Sequence, residues 1–345
     1  MLLAIAVCNS HFELTALPLV DGHEAVLTFF AVSGFYMAMV LDGRYGAAGS
    51  FYMSRLKALY PMYLFAIGLS AVLLFTLDAH PLISRSKMLH IMSDPLGFAA
   101  VLWTSFCVVG QELLFSLKFA GDGQLQFLAS KGDSLYSAAF LVQGWSLSLE
   151  AVFYLLAPFL VQVRSSNLFA ASTASLALRI FIVVTPLSEM SFFLRFFPAD
   201  FWLFGFGILS YRYYLTLPNS SRYMDYFAFV SLIIMILVAG SVGRPYEPFF
   251  LPLGALTLQP FIFRAFRSLV LDCIVGKVTY PFYLLHFSVI GLFETYVDEP
   301  VGWHIFAVSM LAAIITFLLF SPGFDVLKAK VGGRPLGARA VSSAA

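Results

Sequence analysis

Long apolar runs alternate with short polar connections along nearly the whole chain. Eleven runs approach or reach membrane-spanning length: residues 1–18, 25–41, 58–77, 96–117, 145–163, 168–187, 196–213, 225–243, 247–263, 278–297 and 302–320. A helix rises about 1.5 Å per residue, so about 20 apolar residues cross the hydrocarbon core of a bilayer. The pattern predicts an all-α, multi-pass transmembrane helical bundle of about 10–11 membrane segments. The longest polar connection, 118–134, contains Gly121, Asp122, Gly123, Gly132 and Asp133 and reads as a loop. The bundle is expected to occupy residues 1–327, and 328–345, rich in Gly, Arg, Ser and Ala, is expected to be a disordered cytoplasmic tail.

Composition narrows the function. Only 11% of the 345 residues are charged and 60% are hydrophobic, whereas a soluble domain carries roughly 25% charged residues. A net charge of +1 without long basic runs argues against a nucleic-acid partner and leaves the lipid bilayer as the first partner. Cys8, Cys107 and Cys273 lie far apart, with neither disulfide nor metal-ligand spacing.

Lys and Arg at the ends of spans favour the cytoplasm. By that rule Arg44, Arg55 and Lys57 after the second run, Arg264, Arg267 and Lys277 before the tenth, and Lys328, Lys330, Arg334 and Arg339 in the tail are cytoplasmic. The connection between the last two runs holds Glu294, Asp298 and Glu299 and faces outward. Seven runs separate the Arg55 and Arg264 connections, yet two connections on one side require an even number. One run is therefore re-entrant, lies flat or is not a separate span. The candidates are 96–143 and the stretch 245–263, where Pro245, Pro248, Pro252 and Pro260 disturb regular helix.

An ionised side chain at the centre of a span costs about 2.5 to 3.5 kcal/mol on insertion scales, so each one needs a reason. His11, Glu150, Arg179 and His286 stand within or at the end of apolar runs, and Arg55 stands just before the third. Ser146, Glu150 and Tyr154 recur at four-residue steps and share one helix face; Thr279, Tyr283 and His286 do the same in the tenth run. Such stripes face a bundle interior or a wet cavity, either as hydrogen-bond networks between helices or as chemistry. Three soluble-enzyme signals fail. HEAVL at His23 lacks the second histidine of a zinc-protease helix, GFGILS at Gly205 and Gly207 suits helix packing, and the sequon at Asn219 is short enough to arise by chance.

In order, the chain presents HF at His11, FFAVSGFYM at 29–37, FYMSRLKALYPMY at 51–63, GWSLSLEAVFYLLAPF at 144–159 and YPFYLLH at 280–286. This series resembles the acyltransferase-3 family of bacterial integral-membrane acyltransferases, and it extends over nearly the whole chain. The resemblance implies transfer of an acyl group, acetyl by default, from cytoplasmic acyl-CoA to a hydroxyl of an extracytoplasmic polysaccharide or oligosaccharide, in the bacterial inner membrane and without a metal. It implies that His11 is the catalytic base and that Ser33 and Gly34 form a small pair, counted with the donor-binding residues, whose close backbone approach lets helices or the thioester tail of the donor come near. Arg55 begins the Arg-x-x-Arg-x-x-Pro pattern that ends at Pro61, Trp145 and Glu150 belong to the W-S-L-x-x-E motif, and His286 is the late-motif histidine.

Three positions depart from the family's pattern. The second basic position is Ala58, with Lys57 beside it, and Lys is a point charge rather than a planar fork. The family's Arg about eleven residues before the first histidine would fall just before Met1, so the native reading frame is expected to supply one upstream. A Glu that often stands two residues before a Pro in the last span is here Phe320.

Acyl transfer needs a base for the hydroxyl proton, a group that orients the base, and charge stabilisation for the tetrahedral oxyanion. His11 is the expected base, with Glu150 fixing its tautomer by triad logic. His286 is either an alternative base or a donor to the oxyanion. Arg55, Lys57 and Arg44 are expected to hold the phosphates of coenzyme A. Direct transfer and an acyl-histidine relay at His11 both fit. A multi-pass transporter or flippase for a lipid-linked sugar would share the composition and the buried ionisable groups.

Overall fold

A computed structural model describes residues 1–17, 19–44, 47–119, 125–127, 134–218, 222–242 and 247–320. Its helices are α1 (Leu2–Asn9), α2 (Gly22–Arg44), α3 (Ala48–Val72, extended by a wider turn Leu73–Leu77), α4 (Arg85–Met92), α5 (Pro95–Cys107) and α6 (Gly144–Leu160). They continue with α7 (Ser165–Val184), α8 (Phe197–Thr216), α9 (Arg222–Val238), α10 (Glu247–Phe266), α11 (Val270–Tyr296) and α12 (Gly302–Phe320). A short antiparallel hairpin, β1 (Leu117–Phe119) with β2 (Leu125–Phe127), falls within the predicted loop. Among the described residues, 7 helical stretches are long and apolar enough to cross a bilayer, and α11 is longer than most at 27 residues. The fold is a helical membrane bundle, and the 328–345 tail lies outside the described residues.

The stretch 96–143 holds no helix of spanning length. Asp94 caps α5 by accepting from the Leu96 N–H at 2.9 Å, and Pro95 at the first helical position needs no partner for its nitrogen. With 13 residues α5 extends about 20 Å, too little to cross. Its last turn is held against the middle of α3, where Tyr60 donates to the Phe106 carbonyl at 2.8 Å and Tyr63 to the Ser105 carbonyl at 2.7 Å. Val108 and Gly110 then take positive φ values of 65° and 96°, and the chain turns back. The Phe140 carbonyl accepts from Ser70 of α3 at 2.5 Å, and α6 begins beside the middle of α11. With α5 left out, the count between the Arg55 and Arg264 ends is even if the 17-residue α6 crosses along with α3, α7, α8, α9 and α10.

Two sequence expectations change. The stretch 245–263 is not broken by its prolines: α10 runs through Pro252 and Pro260. Pro260 cannot bond the Leu256 carbonyl, and Ser210 on α8 donates to that carbonyl at 2.8 Å instead. At the start of α10 the buried Glu24 carboxylate accepts the Leu251 N–H at 2.9 Å. Arg55 and Lys57 stand inside α3 rather than in a connection.

The largest core packs α2 against α8 around Phe30, Phe153, Trp202 and Phe204. Water gives no driving force inside lipid, so contact between helices depends on close fit and small residues. A Cβ on Gly34 would lie 2.3 Å from the Phe204 carbonyl oxygen, and one on Gly207 would lie 2.4 Å from that of Ala31. Both encounters are with backbone, which cannot swing aside. Gly34→Val is therefore expected to destabilise the bundle by about 1–3 kcal/mol. Gly68→Ala, where nothing lies within 4 Å, serves as the neutral control. Thermal unfolding of the two variants in detergent measures the difference; equal melting temperatures would show that the crossing tolerates separation.

Candidate active site

His11 follows the end of α1, in a loop held from three sides. The run 1–18 forms helix only to Asn9, because the Asn9 side chain turns back to accept the N–H groups of Leu14 and Thr15 at 3.0 and 3.2 Å. Gly302 brings the start of α12 against this loop: a Cβ there would lie 2.3 Å from the Glu13 carbonyl oxygen. The His11 ring packs 4.5 Å from the Phe287 ring and 6.1 Å from the His286 ring, measured between centroids. It opens into a cavity of about 410 Å³ whose lining includes Glu13, Ile290, Glu294 and Gly302.

His286 is fully buried on α11, and its Nδ1 lies 2.8 Å from the Tyr283 carbonyl. A carbonyl can only accept, so in the neutral ring Nδ1 carries the proton and Nε2 presents a lone pair. That Nε2 is buried without a hydrogen-bond partner. A neutral His286 therefore offers an acceptor toward its surroundings rather than an oxyanion donor.

Glu150, buried on α6, accepts from Ser33 at 2.7 Å and from Tyr154. No hydrogen bond joins it to His11, so the triad-like pairing expected from sequence does not form. The reason is register: Ser146, one turn earlier on α6, shares a 2.7 Å hydrogen bond with the Tyr283 hydroxyl and so marks the level of His286. Gln143 fixes that level further, donating to the Tyr283 and Leu284 carbonyls at 2.9 and 2.6 Å. Glu150 lies a turn farther toward Arg55, whose charge acts on both Glu150 and Tyr154. Arg55 packs 5.8 Å from the Phe51 ring, and its buried Nε has no hydrogen-bond partner. Lys57 is exposed, while Arg44 ends α2 with its side chain outside the described residues. Thr279, the third member of its stripe, donates to the Val275 carbonyl at 2.8 Å.

The bundle thus carries two sets of polar groups. Arg55, Ser33, Glu150 and Tyr154 cluster on one side, and Tyr283, His286 and His11 on the other. Ser146 on α6 connects them.

Sequence reasoning flagged Arg179 but did not find its environment. The guanidinium is 1% exposed and lies 3.3 Å from Asp200, which is itself fully buried at the start of α8. It also donates to the Leu194 carbonyl at 2.9 Å and to His23 Nε2 at 3.2 Å. His23 stacks on Trp145 at 5.5 Å, and Arg195 covers Trp145 and Phe115 at 4.8 and 4.2 Å. His23 and Glu24 of the HEAVL stretch therefore have structural partners. Trp145, the first residue of the W-S-L-x-x-E motif, thus has two polar side chains, His23 and Arg195, against its ring where α6 begins.

Neither the curated proteins nor the solved structures contain a significant match to this chain. The family model of the acyltransferase-3 domain, described as an acyltransferase domain, matches residues 6–321. That range takes in His11, the Ser33–Glu150 contact, Arg55 and His286 together with every long helix, so the polar groups gathered on α2, α3, α6 and α11 all lie within the matched domain: the chain belongs to the acyltransferase-3 family and is a multi-pass membrane acyltransferase.

Proposed function

We propose that this protein is an O-acyltransferase of the bacterial inner membrane that takes an acyl group, acetyl by preference, from cytoplasmic acyl-CoA and places it on a hydroxyl of an extracytoplasmic carbohydrate. The observation that carries this reading is the polar line across the bundle from Arg55 through Glu150, Ser146, Tyr283 and His286 to the His11 cavity. At one end, Arg55 retains a buried N–H without an acceptor, which a phosphate or the thioester end of the donor would supply. Glu150, held by Ser33 and Tyr154, keeps the guanidinium in place by charge. At the other end, the His11 cavity lies beside Glu294, on the side that the charge pattern assigns to the exterior.

In this mechanism His11 takes the proton from the acceptor hydroxyl as its oxygen attacks the thioester carbon. The tetrahedral adduct collapses by breaking the C–S bond, and the imidazolium returns the proton to the departing thiolate. His286 Nε2, its tautomer fixed by the Tyr283 carbonyl, accepts from a neighbouring hydroxyl of the acceptor and leaves the proton of the reacting hydroxyl to His11. A centroid separation of 6.1 Å between the two rings leaves room for acceptor groups rather than a direct bond. An acyl-His11 relay would use the same groups in two half-reactions.

Arg55→Ala is expected to raise KM for acyl-CoA by about tenfold or more, because a charge-assisted hydrogen bond to phosphate contributes about 1.5–3 kcal/mol. Steady-state kinetics on membranes with varied acyl-CoA measure it. A change confined to the acceptor's KM would remove Arg55 from the donor site.

A further inference from the structure

The cavity beside His11 has a marked charge. Its titratable lining consists of His11, Glu13 and Glu294, with no Lys or Arg. Both glutamates are exposed, and neither makes a salt bridge among the described residues. Asp298 and Glu299 follow in the same connection, and the Asp21 charge also acts on His11. The opposing contribution is the N-terminus of α12, which starts at Gly302 against the Glu13 backbone. A helix end carries the equivalent of about half a positive charge, less than the two full carboxylates at the mouth.

The position of Glu13 is fixed by packing. It belongs to the loop that carries His11, and the missing side chain of Gly302 lets that loop lie directly on α12. Glu294 approaches from the last turns of α11, two helical turns beyond His286. The two carboxylates thus come from different elements, the His11 loop and α11, and both line the cavity onto which the imidazole opens.

We infer that this mouth selects acceptors by charge: it favours a glycan that carries an amine near the reactive hydroxyl, accepts an uncharged one, and rejects one bearing a carboxylate, sulfate or phosphate there. The inference rests on the proposed function, in that it defines the acceptor class of the same site. Its physical basis is the field of Glu13 and Glu294, which raises the local concentration of cations and lowers that of anions in a partly enclosed mouth.

The field can be measured without acyl-CoA or a known acceptor. His11→Cys places a thiol at the base of the cavity, and Cys107→Ala removes the exposed native cysteine among those described. Membranes are treated with a trimethylammonium-bearing thiosulfonate and with its sulfonate-bearing counterpart, and the rates are divided by those of free cysteine. The chain that retains His11 supplies the background. The cationic reagent is expected to react about tenfold faster than the anionic one, and Glu13→Gln with Glu294→Gln should bring the ratio close to one. Equal rates in the parent, or a ratio unchanged by the double replacement, would overturn the inference. Because no acyl group takes part, that result is separate from failure of the acyltransferase reading, which would appear as absence of label transfer from acyl-CoA in the unmodified protein.

Discussion

Replacing His11 by Ala is expected to lower acyl transfer by about 100- to 10,000-fold, the range a positioned general base contributes. The protein should still insert and fold normally. The loop around His11 is held by the Asn9 side chain and by the contact of Gly302 with Glu13, neither of which uses the imidazole. The ring itself is exposed and, among the described residues, packs against the rings of Phe287 and His286. Loss of activity at unchanged melting temperature would therefore separate chemistry from folding. Full activity in His11→Ala would move the base to His286, whose buried Nε2 is the next available acceptor.

Arg179→Met should have the largest effect on stability. Removing one member of a buried pair leaves an uncompensated charge, which costs about 3–5 kcal/mol. Here the remaining Asp200 would be 0% exposed, and the Leu194 carbonyl and His23 would each lose a donor. The packing on Trp145 would loosen as well, because His23 stacks on that ring. The combined replacement Arg179→Met with Asp200→Leu should recover much of the loss, since well-packed apolar groups can replace a buried pair at little cost. Detergent melting curves of the single and double variants measure this. A single variant as stable as the parent would mean that the pair contributes nothing net.

The bundle was legible in the sequence because lipid imposes a length and composition on every crossing. Periodicity also placed Ser146, Glu150 and Tyr154 on one face of α6, and a 3.6-residue repeat is enough for that. Which residues meet across helices was less accessible. Glu150 bonds Ser33 rather than His11 because α6 starts level with the middle of α11; the run from 145 reveals where that helix starts, but nothing in the local pattern reveals its level against α11. That α5 falls short of a crossing was foreshadowed only by a parity conflict in the loop charges. The prolines of α10 misled because the Ser210 hydroxyl that satisfies the freed Leu256 carbonyl comes from another helix. A usable signal did exist for Arg179 and Asp200. They stand on consecutive helices at comparable distances from the short connection between them, and antiparallel packing brings such positions side by side.

The central claim is that an acyl group leaves its thioester and ends on a glycan through His11. The most direct test incubates membranes from cells expressing the protein with radiolabelled acetyl-CoA and measures label in the extracted glycan. The account predicts label in the glycan fraction that base hydrolysis releases as acetate, and its loss in His11→Ala. Unlabelled glycan, carried across the membrane without modification by the same protein, would contradict it and point to a transporter.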